Sequence, residues 1–526
     1  MFNSWKRKVN YETIMKINNF TDLRTLLLDN KTTEQTIFKN TTWLTIGTII
    51  SRLLKLVLVI YVARILGATE YGKFNFALAF ISLFLVFSNL GLPAITVREF
   101  AQSEERKKEF YSILSLKIIL SLGVLILIFF SSLFITPDET TRRLIWILTF
   151  FVLIDSFYSI INCFFNAYQR MEYEAFGVIL NAVITTGAGL FVIFNFPSVI
   201  NLSYAYLLGS IIVLVFSLII LHLKFLPFRL YWEKKVWRRF LFMSWPLAAA
   251  SLFGSILNNT DSAMLGYFGE ITETGWYGAA YRIINIVFLP MGLVTGSFFP
   301  VLSKFAAHPE NMLLDKIKEA KEKLQKVWNY DLKIMILIAI PLMVGGVSLA
   351  PGIIKFIYGQ SFLPSILAFQ ILIIMAGIVF LYVPFSDILV ASGQQKRVFW
   401  VTLSGAITNF ILNLIFIPRF SLYGAAGTTV VTNLLMFFLF FKLTSKFTQV
   451  RPWDLKIFLV FIGASLSSAL MYLVITQPKI HDLNIFFLIL TGAIIYLLAL
   501  FASKFLIDYS LNYLTIKRNQ WQKKIK

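Results

Sequence analysis

Residues 42–66 read TWLTIGTIISRLLKLVLVIYVARIL. The run is as long as a helix needs to cross a bilayer, about 20 residues, yet three cations sit inside it. At about 1.5 Å of rise per residue, Arg52 and Lys55 fall roughly 15 to 20 Å from its start, near the middle of the hydrocarbon. A charge there costs at least about 2.5 to 3.5 kcal/mol, so it needs a packed partner or a wet cavity. Thr45, Thr48, Arg52 and Lys55 share one narrow stripe of the helix, whereas Arg64 points elsewhere and lies close to the span's end. Arg52 and Lys55 are therefore expected to line an interior, and Arg64 to snorkel to the membrane surface as an anchor.

Working outward, the 526 residues are 58% hydrophobic and only 14% charged, too apolar for a soluble chain to cover itself with polar surface. The composition implies a polytopic membrane protein. The first residues, MFNSWKRKVN, carry no apolar core of a signal peptide, so none is expected to be removed. Cys163 is the single cysteine, which excludes an intramolecular disulfide and a thiolate cluster. The histidines at 222, 308 and 481 fall at span ends or in loops without metal-site spacing. Neither a metal nor another cofactor is expected.

The net charge of +21 raises the question of nucleic acid, and its distribution answers it. Fourteen apolar spans can be drawn; with the N-terminus inside, 36 of the 48 Lys and Arg fall on inner connections, 6 on outer ones and 6 within spans. That bias places both termini in the cytoplasm and reads as orientation, not nucleic-acid binding. The longest basic connection in the middle of the chain, residues 222–239, follows the sixth span. The seventh span then starts on the same side as the first, as in parallel-repeat transporters. EYGKFNFA (70–77) and ETGWYGAA (273–280) also match at an offset of 203. The expected fold is all-α, with 14 transmembrane helices in two six-helix lobes and two C-terminal helices. The corresponding boundaries are a cytoplasmic segment at 1–41, an N-lobe at 42–223, a basic linker at 224–239, a C-lobe at 240–447, two last spans within 448–506, and a basic tail at 507–526.

Several constellations follow from helical spacing. In the N-terminal segment, Ile14, Ile17, Leu23, Leu26 and Leu27 could form one apolar face of a helix lying on the inner leaflet, but a plain tether is the favoured reading. GATEYGKF (67–74) nearly matches a phosphate-binding loop, but Phe74 replaces the hydroxyl that would reach magnesium, so it is expected to be a tight glycine turn. Lys117, near the inner end of the third span, is expected to snorkel. In the fourth span Asp155, Ser159, Asn162 and Asn166 share a face, either as interhelical hydrogen-bonding groups or as a cavity lining. Asp261 and Arg282 lie at similar depth in the seventh and eighth spans, where an ion pair would let both be buried. Pro246, Pro290 and Pro300 are expected to permit bending there. Thr402, Asn409 and Asn413 share a face of the eleventh span, with packing the favoured reading. Asp155 and Asp261 stand as candidates for ion coupling or pairing.

The stretch from TWLTIGTIISRLLKLVLVIYVARILGATEYGKF (42–74) through SNLGLPAITVREFAQ (88–102), with the turns YGAAYR (277–282) and YGAAGT (423–428), resembles the polysaccharide-export branch of the flippase superfamily that includes multidrug extruders and lipid II flippases. It is most similar to O-antigen and other repeat-unit flippases, which move polyprenyl-pyrophosphate-linked oligosaccharides across the cytoplasmic membrane. The resemblance implies two lobes around a cationic cavity, with the headgroup gripped by arginines of the first and eighth spans, here Arg52 and Arg282. A second arginine common in lipid II flippases is absent; Leu58 stands nearest, with Lys55 as a substitute. Independently, mid-membrane guanidinium and ammonium groups suit an anionic pyrophosphate.

The expected partners are that lipid-linked glycan, the bilayer, and polymerases or glycosyltransferases of the same pathway. A multidrug antiporter would need acids rather than Arg52, Lys55 and Arg282 in its cavity, and a membrane glycosyltransferase or polymerase would need a larger catalytic loop. The chain is thus expected to be a transporter and not an enzyme, with lipid II flippase and multidrug antiporter as alternatives.

Overall fold

The computed structural model describes residues 32–102, 107–136, 138–225, 229–306, 314–448, 450–452, 454–477 and 484–502. The N-terminal apolar face and the basic tail of 507–526 lie outside them. The described residues build α1 (Thr33–Asn89), α2 (Leu92–Gln102), α3 (Lys107–Ile135), α4 (Glu139–Ala167), α5 (Met171–Asn195), α6 (Val199–Lys224) and α7 (Lys234–Tyr267). There follow α8 (Ile271–Val287), α9 (Leu289–Ala306), α10 (Leu314–Tyr358), α11 (Ser365–Ala391), α12 (Gln395–Phe447) and α13 (Leu455–Ile475). The last is α14 (Ile485–Ala502). Among the described residues, 12 helices are long and apolar enough to cross a membrane. The chain is therefore a multi-pass, all-helical membrane protein.

Breaks inside the long helices have identifiable causes. α1 is interrupted at Gly67, whose φ of 77° is one that glycine reaches without steric cost. The expected glycine turn is thus compressed to one residue, and the rest of GATEYGKF continues as helix. α12 is interrupted at Ser421 with φ 50°, unusual for a residue with a Cβ. Two carboxylates hold that break open: the Ser421 hydroxyl donates to Glu270, and the Leu422 amide donates to Glu273 at 3.3 Å. Pro290 lacks a donor and follows the break between α8 and α9 at Phe288, whereas Pro246 and Pro300 sit inside continuous helices.

The fold comprises two compact units. The first takes the described residues of Met1–Tyr61, Phe84–Ser132 and Trp146–Ala248. Its core gathers Phe100, Phe110, Phe164, Phe165 and Phe240, all essentially buried. The second takes those of Val62–Leu83, Leu133–Ile145 and Ala249–Lys526. Its core surrounds Trp328, whose indole N–H donates to the Pro384 carbonyl at 3.0 Å.

Within the second unit, α1 beyond Gly67 crosses the start of α8 at backbone contact. Thr69 and Thr272 share a hydroxyl hydrogen bond of 2.8 Å across 203 positions, the offset of the sequence match. A Cβ on Gly72 would fall on the Ile271 carbonyl, and one on Gly275 would fall on the Ala68 carbonyl. Each glycine meets the residue four before the other. The contact is therefore reciprocal, as between copies related by a two-fold axis.

Candidate functional site

The cations of the opening stretch separate in the structure. Arg52 is exposed and Lys55 half-buried, as are Thr45 and Thr48 of the same stripe, whereas Val59 and Ala63 one to two turns further along it are buried. Arg64, the expected anchor, is exposed. Its guanidinium donates to the carbonyls of Ile357, at 2.8 Å, and Phe356, in the last turn of α10. A cation there satisfies carbonyls that the helix leaves unpaired.

Lys117 corrects the reading from sequence. It is fully buried rather than snorkelling, and its ammonium donates to the Ser88 carbonyl at 2.9 Å, to Asn89 Oδ1 at 2.6 Å and to Ser156 Oγ. Three oxygens replace its water, and Ser88 lies at the C-terminal end of α1, where carbonyls lack partners. Helical periodicity put Lys117 near a span end, but only the packing of α1, α3 and α4 supplied these acceptors.

The polar face of α4 opens onto a cavity of about 420 Å³ in the first unit. Asp155, Ser159, Asn162 and Asn166 line it together with Lys55 from α1 and Glu174 and Asn181 from α5. Asp155 is exposed and within Coulombic range of Lys55. Both roles left open for the α4 face are observed: its residues line the cavity, and Asn166 also hydrogen-bonds Glu174 of α5. Glu174 and Asn181 were not singled out from sequence; Glu174 precedes its span and Asn181 is a lone amide, so neither formed a pattern.

Asp261 of α7 is 3% exposed, and both carboxylate oxygens are held by neutral donors. Tyr277 Oη and Thr429 Oγ1 donate to Oδ2, the latter at 2.6 Å. Asn413 and Asn409 donate to Oδ1 at 2.6 and 3.2 Å. Thr428 supports this shell by donating to Asn413 Oδ1, and Thr428 and Thr429 both donate to the Ala425 carbonyl at 2.9 Å. The expected packing role of Asn409 and Asn413 thus acquires a charge at its centre, while Thr402 merely donates to Val398 in its own helix. These neutral donors occupy the carboxylate that the sequence offered to Arg282. Arg282 itself is half-buried on α8, within Coulombic range of Tyr358.

A second acidic pair escaped the sequence reading. Asp331 of α10 is fully buried with neither carboxylate oxygen hydrogen-bonded, and it is within Coulombic range of Asp387 of α11. Both residues fall at the edges of apolar runs, where an acid looks like part of a loop.

The family model described as polysaccharide biosynthesis protein matches residues 37–306, half of the chain. The chain belongs to this family. A capsular polysaccharide biosynthesis protein of Staphylococcus aureus, CapF, is 24% identical over 77% of this chain and 99% of its own length. The probable flippase AglR of Haloferax volcanii is 26% identical over 45% of this chain and 48% of its own. Among solved structures, the lipid II flippase MurJ in an inward closed conformation matches with a TM-score of 0.72 at 20% identity, covering 89% of this chain and 99% of that one. A multidrug resistance transporter of the MATE family and MOP superfamily, in an inward-facing conformation, matches with a TM-score of 0.61 at 18% identity, covering 77% of this chain and 97% of that one. The resemblance found in the opening stretch therefore extends to the fold. This member of the polysaccharide biosynthesis family is a flippase-type membrane transporter and not an enzyme.

Proposed function

We propose that the protein moves polyprenyl-pyrophosphate-linked oligosaccharide from the inner to the outer leaflet of the cytoplasmic membrane, for cell-surface polysaccharide such as capsule or O-antigen. The observation that carries this reading is the trio Arg52, Lys55 and Arg282 inside apolar helices, none of them fully buried. A pyrophosphate must shed water to cross, and guanidinium forks replace that water with paired hydrogen bonds. The same cations would repel cationic drugs, which weighs against a multidrug antiporter; lipid II remains the alternative substrate. Counting the halves of α1 and α12 as separate crossings gives 14, with the N-lobe at 42–223, the C-lobe at 240–447 and both termini cytoplasmic. Alternating access would come from rocking of these two parallel repeats.

Asp261 is the preferred coupling residue. A buried carboxylate amid the hydroxyls of Tyr277 and Thr429 and the amides of Asn409 and Asn413 exchanges those neutral donors for a proton or small cation with little backbone movement. Polymerases and glycosyltransferases of the same pathway are the natural partners. The test is complementation of a flippase-deficient strain, with surface glycan as readout. Arg52→Ala and Arg282→Ala are expected to lower it at least about tenfold at normal membrane abundance, or about 1.4 kcal/mol of lost transition-state binding. Full activity of both variants would overturn the headgroup grip.

A further inference from the structure

The α4–α5 cavity shares Lys55 with that grip and nothing with the Asp261 cage. Its polar atoms nevertheless form a set. Asn162 Oδ1, Asn166 Oδ1 and Glu174 Oε2 are buried and accept no hydrogen bond, and all three residues line the cavity. Asn162 is only 6% exposed, so its carbonyl oxygen is not left at an outer surface. Tyr158, the nearest hydroxyl on the wall, donates to the Glu174 main-chain carbonyl at 3.2 Å instead of to its carboxylate. An unpaired buried acceptor costs about 1 to 3 kcal/mol, and three around one hole call for an occupant.

Charge and ligand type narrow that occupant. The walls carry one ammonium, Lys55, and two carboxylates, Asp155 and Glu174; Asp155 is within Coulombic range of Lys55, and Glu174 takes a side-chain hydrogen bond from Asn166. Of the buried ammonium groups of this unit, Lys117 has its donors placed on Ser88, Asn89 and Ser156, and Lys39 pairs with Glu172 at 2.9 Å. Carboxylate and amide oxygens suit hard cations. Among the described residues no group of three or more His, Cys, Asp or Glu gathers, so the donor set does not suit a transition metal. A proton needs one acceptor, whereas this hole offers three, with space for several waters.

We propose that the α4–α5 cavity of the first unit binds one monovalent hard cation of the sodium class through Glu174 and the amide oxygens of Asn162 and Asn166. The ion completes the charge of the wall and ties α4 to α5. The site is separate from the Asp261 cage and does not depend on it.

The test is binding of radioactive sodium to the purified full chain in nanodiscs, by scintillation proximity at neutral pH, with each variant checked for monodisperse elution. Asp261→Asn is expected to keep about one sodium per chain. Adding Glu174→Gln is expected to remove it, and Asn166→Leu to raise the apparent Kd at least about tenfold, which keeps the test open if the glutamine variant does not fold. Sodium binding that survives Glu174→Gln, or a chain that binds none with Asp261→Asn, would overturn the site. Equal binding by wild type and Asp261→Asn would count against sodium at the cage while leaving the cavity site standing.

Discussion

Two aspartates lie within apolar helices, and the protein treats them in opposite ways. Asp155 of the first unit is exposed at a polar cavity, with Lys55 in Coulombic range. Asp261 of the second unit is sealed, with two hydrogen bonds to each oxygen. Both look alike as isolated acids in hydrophobic runs. The difference teaches that the cost of a charge in a membrane protein is set by the donors gathered around it, not by its depth in a span.

The contrast breaks first at the aspartates themselves. Asp261→Ala strands donors from Tyr277, Thr429, Asn409 and Asn413, at about 1 to 3 kcal/mol for each one left unsatisfied. It is expected to abolish surface-glycan export and to lower the thermal unfolding temperature in detergent markedly, whereas Asp155→Ala shifts that temperature little. Equal destabilisation by both would erase the distinction. A smaller effect tests whether the first unit can also saturate a charge. Lys117→Met leaves three oxygens without their donor and is expected to cost about 2 to 3 kcal/mol, while Lys55→Met at the open cavity costs under about 1 kcal/mol. A harmless Lys117→Met would place this buried cation in the same class as the unit's exposed ones.

Smaller again is the effect of steric change in the second unit. Gly72→Ala or Gly275→Ala puts a methyl group onto a carbonyl of the facing helix and is expected to destabilise by about 1 to 3 kcal/mol. Gly123→Ala in the first unit, where a Cβ meets nothing within 4 Å, serves as the silent counterpart.

The smallest expected effect concerns Asp138, between α3 and α4. Burial alone would raise its carboxyl, but the Thr141 hydroxyl and amide, Lys73 and the Thr140 amide together hold it below the ordinary 3.8. A lowered folded value means that its stabilisation is complete above the unfolded value and fades as pH falls through the folded one. Asp138→Asn is expected to lower stability slightly at neutral pH and to leave it unchanged at the acid end, so that the limb below pH 3.8 flattens. A loss of the same size at neutral and at acid pH would mean instead that Asp138 acts through packing.

Much of the molecule was legible in its residues, because helical periodicity is local. The apolar runs, the shared face of Asp155, Ser159, Asn162 and Asn166, and the match at an offset of 203 all follow from counting along the chain. Cations placed mid-run announced a polar interior without any coordinates. What counting could not give is which face meets which. Asn409, Asn413 and Thr429 reach Asp261 from 148 to 168 residues away, and Glu174 joins the α4 face from another helix. Lys117 turned inward for the same reason. A side chain's direction around its own helix is fixed by sequence spacing, but the partner it finds there depends on how distant helices pack, and only the tertiary structure supplies that.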